Sequence, residues 1–121
     1  LILSDRAHDH VARPRNAGAM ADADRIGTGG SPGGGPYIQL WLKLDGGRIL
    51  KATYETNGCP SSIASASALC ELITGREIAK VRLLEARDLI TYLGGLPEGK
   101  EFYADLAVNA VRDGAREDYK A

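Results

Sequence analysis

Cysteine is scarce in this chain of 121 residues: Cys59 and Cys70 are the only two. Two thiols build no disulfide framework, and the early Asp5, Arg6, His8 and Asp9 do not read as a signal peptide. Both cysteines are therefore expected to be reduced, and the protein cytoplasmic. An excess of one charge is missing as well. The 15 Lys and Arg nearly balance the 16 Asp and Glu, for a net charge of −1. Without a clustered basic patch, nucleic acid and anionic membrane surfaces are not expected partners. No apolar run approaches the ~20 residues that cross a bilayer. Histidine is limited to His8 and His10, two apart, so a helix turns them to different sides and regular geometry gives them no shared metal ion. No Ser-His-Asp or Cys-His-Asp set can be assembled, and nothing nominates an enzyme.

The apolar share of 44% with 26% charged residues suffices for a core and a wettable surface. Residues 1–121 are expected to form a single domain. Ser4–Arg13 reads as a short helix, with Ser4 or Asp5 as its cap and Pro14 closing it. Pro14–Pro36 reads as a long irregular, mobile loop, because its glycines make regular structure entropically expensive. From Tyr37 the period is two: Ile38, Leu40, Leu42 and Leu44 alternate with polar or aromatic residues, and Trp41 falls on the other face. Asp45-Gly46-Gly47 marks a turn into a second strand, Arg48–Thr56, closing a hairpin. Asn57-Gly58-Cys59-Pro60 then turns into a helix with Ile63, Ala66, Leu69, Cys70 and Ile73 on one face, ended by Gly75. Helices are expected over Glu77–Val81, Glu85–Leu93 and Phe102–Lys120. The order predicts an α+β fold, a small antiparallel sheet with helices packed on one face.

Cys59 is the candidate reactive residue. A cysteine just before a helix N-terminus faces free amides and the positive end of the helix dipole, and both favour the thiolate that binds metal or accepts sulfur. Its alternative is a turn cysteine without a role. Cys70 lies about three turns further along, on the order of 15 Å away in a regular helix, too far to share a metal or a disulfide with Cys59. It reads as core. The glycine run 27–36 is not a phosphate loop, since no Gly-Lys-Ser/Thr follows and it leads into a strand.

Three stretches resemble one family. Asp9-His10 with Arg13-Pro14-Arg15-Asn16-Ala17-Gly18 is similar to an opening "DH…NPRNVG". Tyr54–Gly75, YETNGCPSSIASASALCELITG, resembles "F-x-T-x-G-C-x-x-x-I-A-S-S-S". Leu93–Tyr119 carries "GGLPEGK" and "LAVNAVRDGAREDY". On these the chain resembles the IscU/NifU N-terminal-domain family of iron–sulfur cluster assembly scaffolds over essentially its whole length. The resemblance implies a protein that acts in cluster assembly beside a cysteine desulfurase or other assembly proteins. It also implies a ligand set of three cysteines, an aspartate and often a histidine. Cys59 matches the middle cysteine. The first cysteine's place falls on Gly34 and the aspartate's on Pro36; the third cysteine's falls on Tyr103 and the histidine's on Phe102. A cluster or a zinc ion wants about four ligands, so iron or a [2Fe–2S] cluster is expected only with ligands from a partner or a second subunit of a homo-oligomer. Two functions follow from this departure. One is a scaffold-like sulfur acceptor or partner-dependent cluster carrier working through Cys59. The other is a non-catalytic binding or regulatory module that keeps the fold without metal chemistry.

Overall fold

The computed structural model describes residues 3–119. The helix α1 spans Asp5–Ala12, capped by Ser4, whose hydroxyl oxygen accepts from the Ala7 amide at 3.1 Å. The same hydroxyl donates to the Leu93 carbonyl, so one side chain both starts α1 and fastens it to a distant helix. Three strands follow: β1 (Arg25–Gly30), β2 (Tyr37–Asp45) and β3 (Arg48–Thr56) form an antiparallel sheet in the order β1-β2-β3. The β2–β3 hairpin turns on Gly46 and Gly47, both at positive φ (60° and 82°), as a two-residue hairpin loop requires. Then come α2 (Pro60–Ile73), α3 (Ile78–Val81), α4 (Ala86–Leu93) and α5 (Phe102–Gly114).

Two expectations from the sequence need correction. The segment 14–36 is not irregular throughout, because Arg25–Gly30 is a strand paired in register with β2, from Arg25↔Leu42 to Gly30↔Tyr37. The remaining glycine-rich piece, 31–36, is the connection of that hairpin, with the Ser31 amide donating to the Pro36 carbonyl at 3.1 Å and the Gly34 amide to the Ser31 carbonyl at 2.9 Å. The last helix ends at Gly114, and residues to Tyr119 leave the helix. Lys120, where the sequence placed its end, lies outside the described residues.

The glycines of β1 have a steric cause. Gly27 and Gly29 pair with Leu40 and Ile38 and so share the sheet face that carries the core. A Cβ on Gly27 would stand 2.1 Å from the Ala110 carbonyl oxygen, and one on Gly29 1.9 Å from that of Leu106. The backbone of α5 therefore lies directly on β1, closer than any side chain permits. Gly114 completes the approach, its own Cβ position 3.4 Å from the Gly27 Cα. Beside this contact Ile38, Leu40, Leu42, Ala52 and Tyr54 meet α2 and α5 in one continuous core. On the opposite face Trp41 stands between Ile26 and Thr53 in the cross-strand register and is nearly buried.

The middle helix, α2, is enclosed by β3, α1, α4 and α5. Its serines and alanines suit that position: Ser61, Ser62, Ala64, Ser65, Ala66, Ser67 and Ala68 are all buried. Small side chains let neighbouring elements come close from every side, which is why the helix shows little amphipathic contrast. The hydroxyl of Ser67 holds the N-terminal segment to α2, accepting the Arg15 amide at 3.0 Å and meeting His10 Nδ1 at 2.7 Å.

Candidate functional site around Cys59

The turn that presents Cys59 is fixed from both sides. Gly58 sits at φ +90°, a conformation costly for any residue with a Cβ. The Asn57 side-chain oxygen accepts from the Tyr37 amide (3.4 Å) and the Thr56 hydroxyl (3.3 Å), tying the turn to the start of β2. Cys59 itself is the N-cap of α2, in extended geometry, with Pro60 opening the helix. Its carbonyl accepts the Ile63 amide at 2.9 Å and the Ser62 hydroxyl at 2.7 Å. The backbone is thereby locked, and the half-buried thiol takes part in no disulfide and no side-chain cap.

Partial burial opposes ionisation of this thiol. The amides of Ser62 and Ser61, the Tyr103 hydroxyl and the Lys100 ammonium outweigh it, and the Cys59 thiol is held below its ordinary value. Cys70 is the converse: fully buried on the same helix, its thiol is pushed far above the ordinary range, and it is core as the sequence predicts. Both cysteines are free.

The four other positions that the resemblance singled out divide into two pairs. Gly34 and Pro36 are exposed in the β1–β2 connection. Tyr103 is 4% exposed at the start of α5, and it is the one brought to Cys59. Phe102, 41% exposed, lies against it with ring centroids 4.2 Å apart. Sequence reasoning missed Lys100 and gave Tyr103 no positive role. The 97–101 turn places both, the Lys100 amide donating to Pro97 and the Tyr103 amide to Lys100. No described cluster of three or more His, Cys, Asp or Glu is placed to hold a metal ion. His10 is a packing residue, 1% exposed between Ser67 and Glu71.

A cavity of about 340 Å³ opens beside the cysteine turn, lined by Gly58, Ile63, Tyr37, Tyr54 and Thr56 together with Pro14, Ala17 and Gly18. A larger groove of about 490 Å³ runs between α2, α3 and α4 and includes none of the residues around Cys59. No described helix is long and apolar enough to cross a membrane.

A three-stranded antiparallel sheet covered by helices, with a half-buried cysteine at the N-terminus of the central helix, defines an α+β fold. The profile of the NifU-like N terminal domain matches residues 2–121, and the chain belongs to that family of iron–sulfur cluster assembly scaffolds. It is 35% identical over 111 residues to the iron-sulfur cluster assembly scaffold protein IscU 1 of Archaeoglobus fulgidus, covering 92% of this chain and 72% of that protein. It is 34% identical over 125 residues to IscU of Haemophilus influenzae, covering 100% and 98%. With the nitrogen fixation protein NifU of Azotobacter chroococcum it shares 39% over 99 residues, 80% of this chain but only 32% of that protein. Among solved structures, a putative iron-sulfur cluster assembly scaffold protein for the SUF system from Fervidobacterium islandicum superposes with a TM-score of 0.69 at 17% identity, over 93% of this chain and 96% of that one. The N-terminal part of a NifU-like protein from Brucella abortus gives 0.68 at 22%, over 93% and 91%. These two likenesses concern the fold.

Proposed function

We propose that this protein serves iron–sulfur cluster assembly by accepting sulfur on Cys59, with a cysteine desulfurase as its donor, and that it does not hold a cluster by its own side chains. The observation that carries this reading is the environment of Cys59: a half-buried thiol at a helix N-terminus, held toward its anion by two amides, a hydroxyl and an ammonium. Gly34, Pro36 and Phe102 offer no thiolate, imidazole or carboxylate, so the residues at the family's ligand positions do not fit a cluster. In this reading the protein is a carrier and turns over no substrate. A second subunit or a partner scaffold completes any metal coordination.

The test is anaerobic incubation with a cysteine desulfurase, cysteine and ferrous iron, followed by intact mass and visible absorption. The expected result is one added sulfur on Cys59, none on Cys59→Ser, and no cluster absorption from the protein alone. No added sulfur on the wild type overturns the reading. If wild type and Cys59→Ser retain an assembly partner equally well and neither gains sulfur, the binding-module reading takes its place.

A further inference from the structure

The sheet has two outer edges, and the chain covers them by different means. Along β3 the cover is backbone: the Gly18 amide donates to the Tyr54 carbonyl at 2.7 Å and the Tyr54 amide to the Asn16 carbonyl at 3.1 Å. Along β1, the other edge strand, the cover is side chains. The Ile26 amide donates to the Tyr119 hydroxyl oxygen at 2.8 Å, and the Thr28 amide to the Asp113 carboxylate at 2.9 Å. Being two apart, both amides point away from β2. Arginines strap the segment after α5 down over this edge. The Arg25 guanidinium donates to the carbonyls of Gly114 at 3.1 Å and Arg116 at 2.9 Å. It also lies over the Tyr119 ring at 4.9 Å. The Arg116 guanidinium lies over the same ring at 4.7 Å and pairs with the Asp113 carboxylate at 2.8 Å. The Asp113 and Arg116 side chains are 44% and 42% exposed, so each of these contacts is modest alone. Such a strap can open without disturbing the core beneath it.

We propose that residues 113–119 form an autoinhibitory strap over the β1 edge, and that the occupant it excludes is β1 of a second copy of this chain. The outward N–H and C=O groups of an edge strand are a template for another strand. β1 is self-complementary about Gly27. In a two-fold antiparallel pair, Ile26 of each copy faces Thr28 of the other, and the four amides released from Asp113 and Tyr119 meet four backbone carbonyls. The exchange is even in hydrogen bonds. It also gives Ile26, 42% exposed, a β-branched cross-strand neighbour on the outer face. The strap therefore decides between one copy and two.

Analytical ultracentrifugation over a concentration series compares wild type with Asp113→Ala/Tyr119→Ala, and hydrogen exchange followed by NMR reads the Ile26 and Thr28 amides. Thermal midpoints report folding. The double variant should self-associate about tenfold more tightly than wild type, the effect of one net hydrogen bond to a charged group that no longer has to be broken. In dilute solution its two amides should exchange faster than those of wild type, and they should regain protection as it associates. Equal association of the two folded proteins overturns the strap. Association that leaves both amides exchanging freely overturns it as well. Tyr119→Phe keeps the ring beside the two guanidinium groups and removes only the bond to Ile26, so it decides if the double variant does not fold. Faster exchange at Ile26 together with tighter association supports the strap, and a wild-type value for either overturns it.

Discussion

Cys59 and Cys70 sit on one helix and behave as opposites, because one stands at its mouth and the other inside the core. The lowered thiol of Cys59 predicts alkylation by iodoacetamide whose half-maximal rate falls below the pH of an ordinary cysteine. Cys70, with its thiol raised by complete burial, should stay unmodified until the fold is opened. Mass spectrometry should count one label in buffer and two in denaturant; two labels in buffer would contradict the burial described. His10 supplies a second pH-dependent property. Burial holds its pKa below the ordinary 6.5, Arg15 and Arg6 act in the same direction, and Glu71 and Asp9 act against them. A lowered histidine pKa means that the unfolded chain takes up the proton first. Stability is thus complete above pH 6.5 and declines as pH falls toward the folded-state pKa. Urea midpoints should drop as the pH is lowered from neutral through 6.5, and His10→Asn should flatten that drop while lowering stability at neutral pH by about 1–2 kcal/mol for the lost buried hydrogen bond.

The α5–β1 contact is the element pair on which the site depends, since α5 carries Tyr103. Replacing Gly29 by Ala sets a methyl against the Leu106 carbonyl and forces α5 away from the sheet. A cost of about 3 kcal/mol is expected, the upper end of ordinary overpacking, and urea denaturation should read it. Cys59 alkylation should then shift toward ordinary thiol behaviour as Tyr103 withdraws. A Gly29→Ala variant with wild-type stability would mean that α5 is not seated as described. The same pair shows where sequence reading stops. The β2–β3 hairpin was legible because Ile38, Leu40 and Leu42 mark their face with side chains and Asp45-Gly46-Gly47 marks the turn. In Arg25–Gly30 the inward face is marked by the absence of side chains, at Gly27 and Gly29. Hydrophobic periodicity cannot register a strand whose core face is hydrogen. Its signal, glycines two apart before a known strand, has meaning only once a helix is known to lie there.

For the whole molecule, the order helix, sheet, helices was readable from local patterns, and the resemblance over most of the chain agrees with them. The Cys59 turn was readable for the same reason, as its chemistry lies in neighbours along the chain: Gly58, Pro60 and two serine amides. Lys100 and Tyr103 were not, because they reach Cys59 only through the seating of α5 on the sheet. The exposed connection 31–36 is the complementary case. It contributes almost nothing to the core, and a Cβ on Gly34 meets nothing nearer than the Ser31 Cβ at 3.7 Å and carbonyl oxygen at 3.8 Å. Gly34→Cys and Pro36→Asp should therefore fold normally, as should Phe102→His at its 41% exposed position. Tyr103→Cys empties a packed volume and should cost about 3 kcal/mol. The protein carrying all four is expected to bind iron and labile sulfide with visible absorption, and to lose both when Cys59→Ser is added. Failure of the stable, folded quadruple variant to colour would show that more than ligand identity separates this chain from a cluster holder. The roomy turn at Gly34 thus has an evolutionary consequence: at Gly34 and Pro36 the residue type can drift without touching the core, whereas Tyr103 is bound to the glycine-seated helix and can change only at a cost to the architecture.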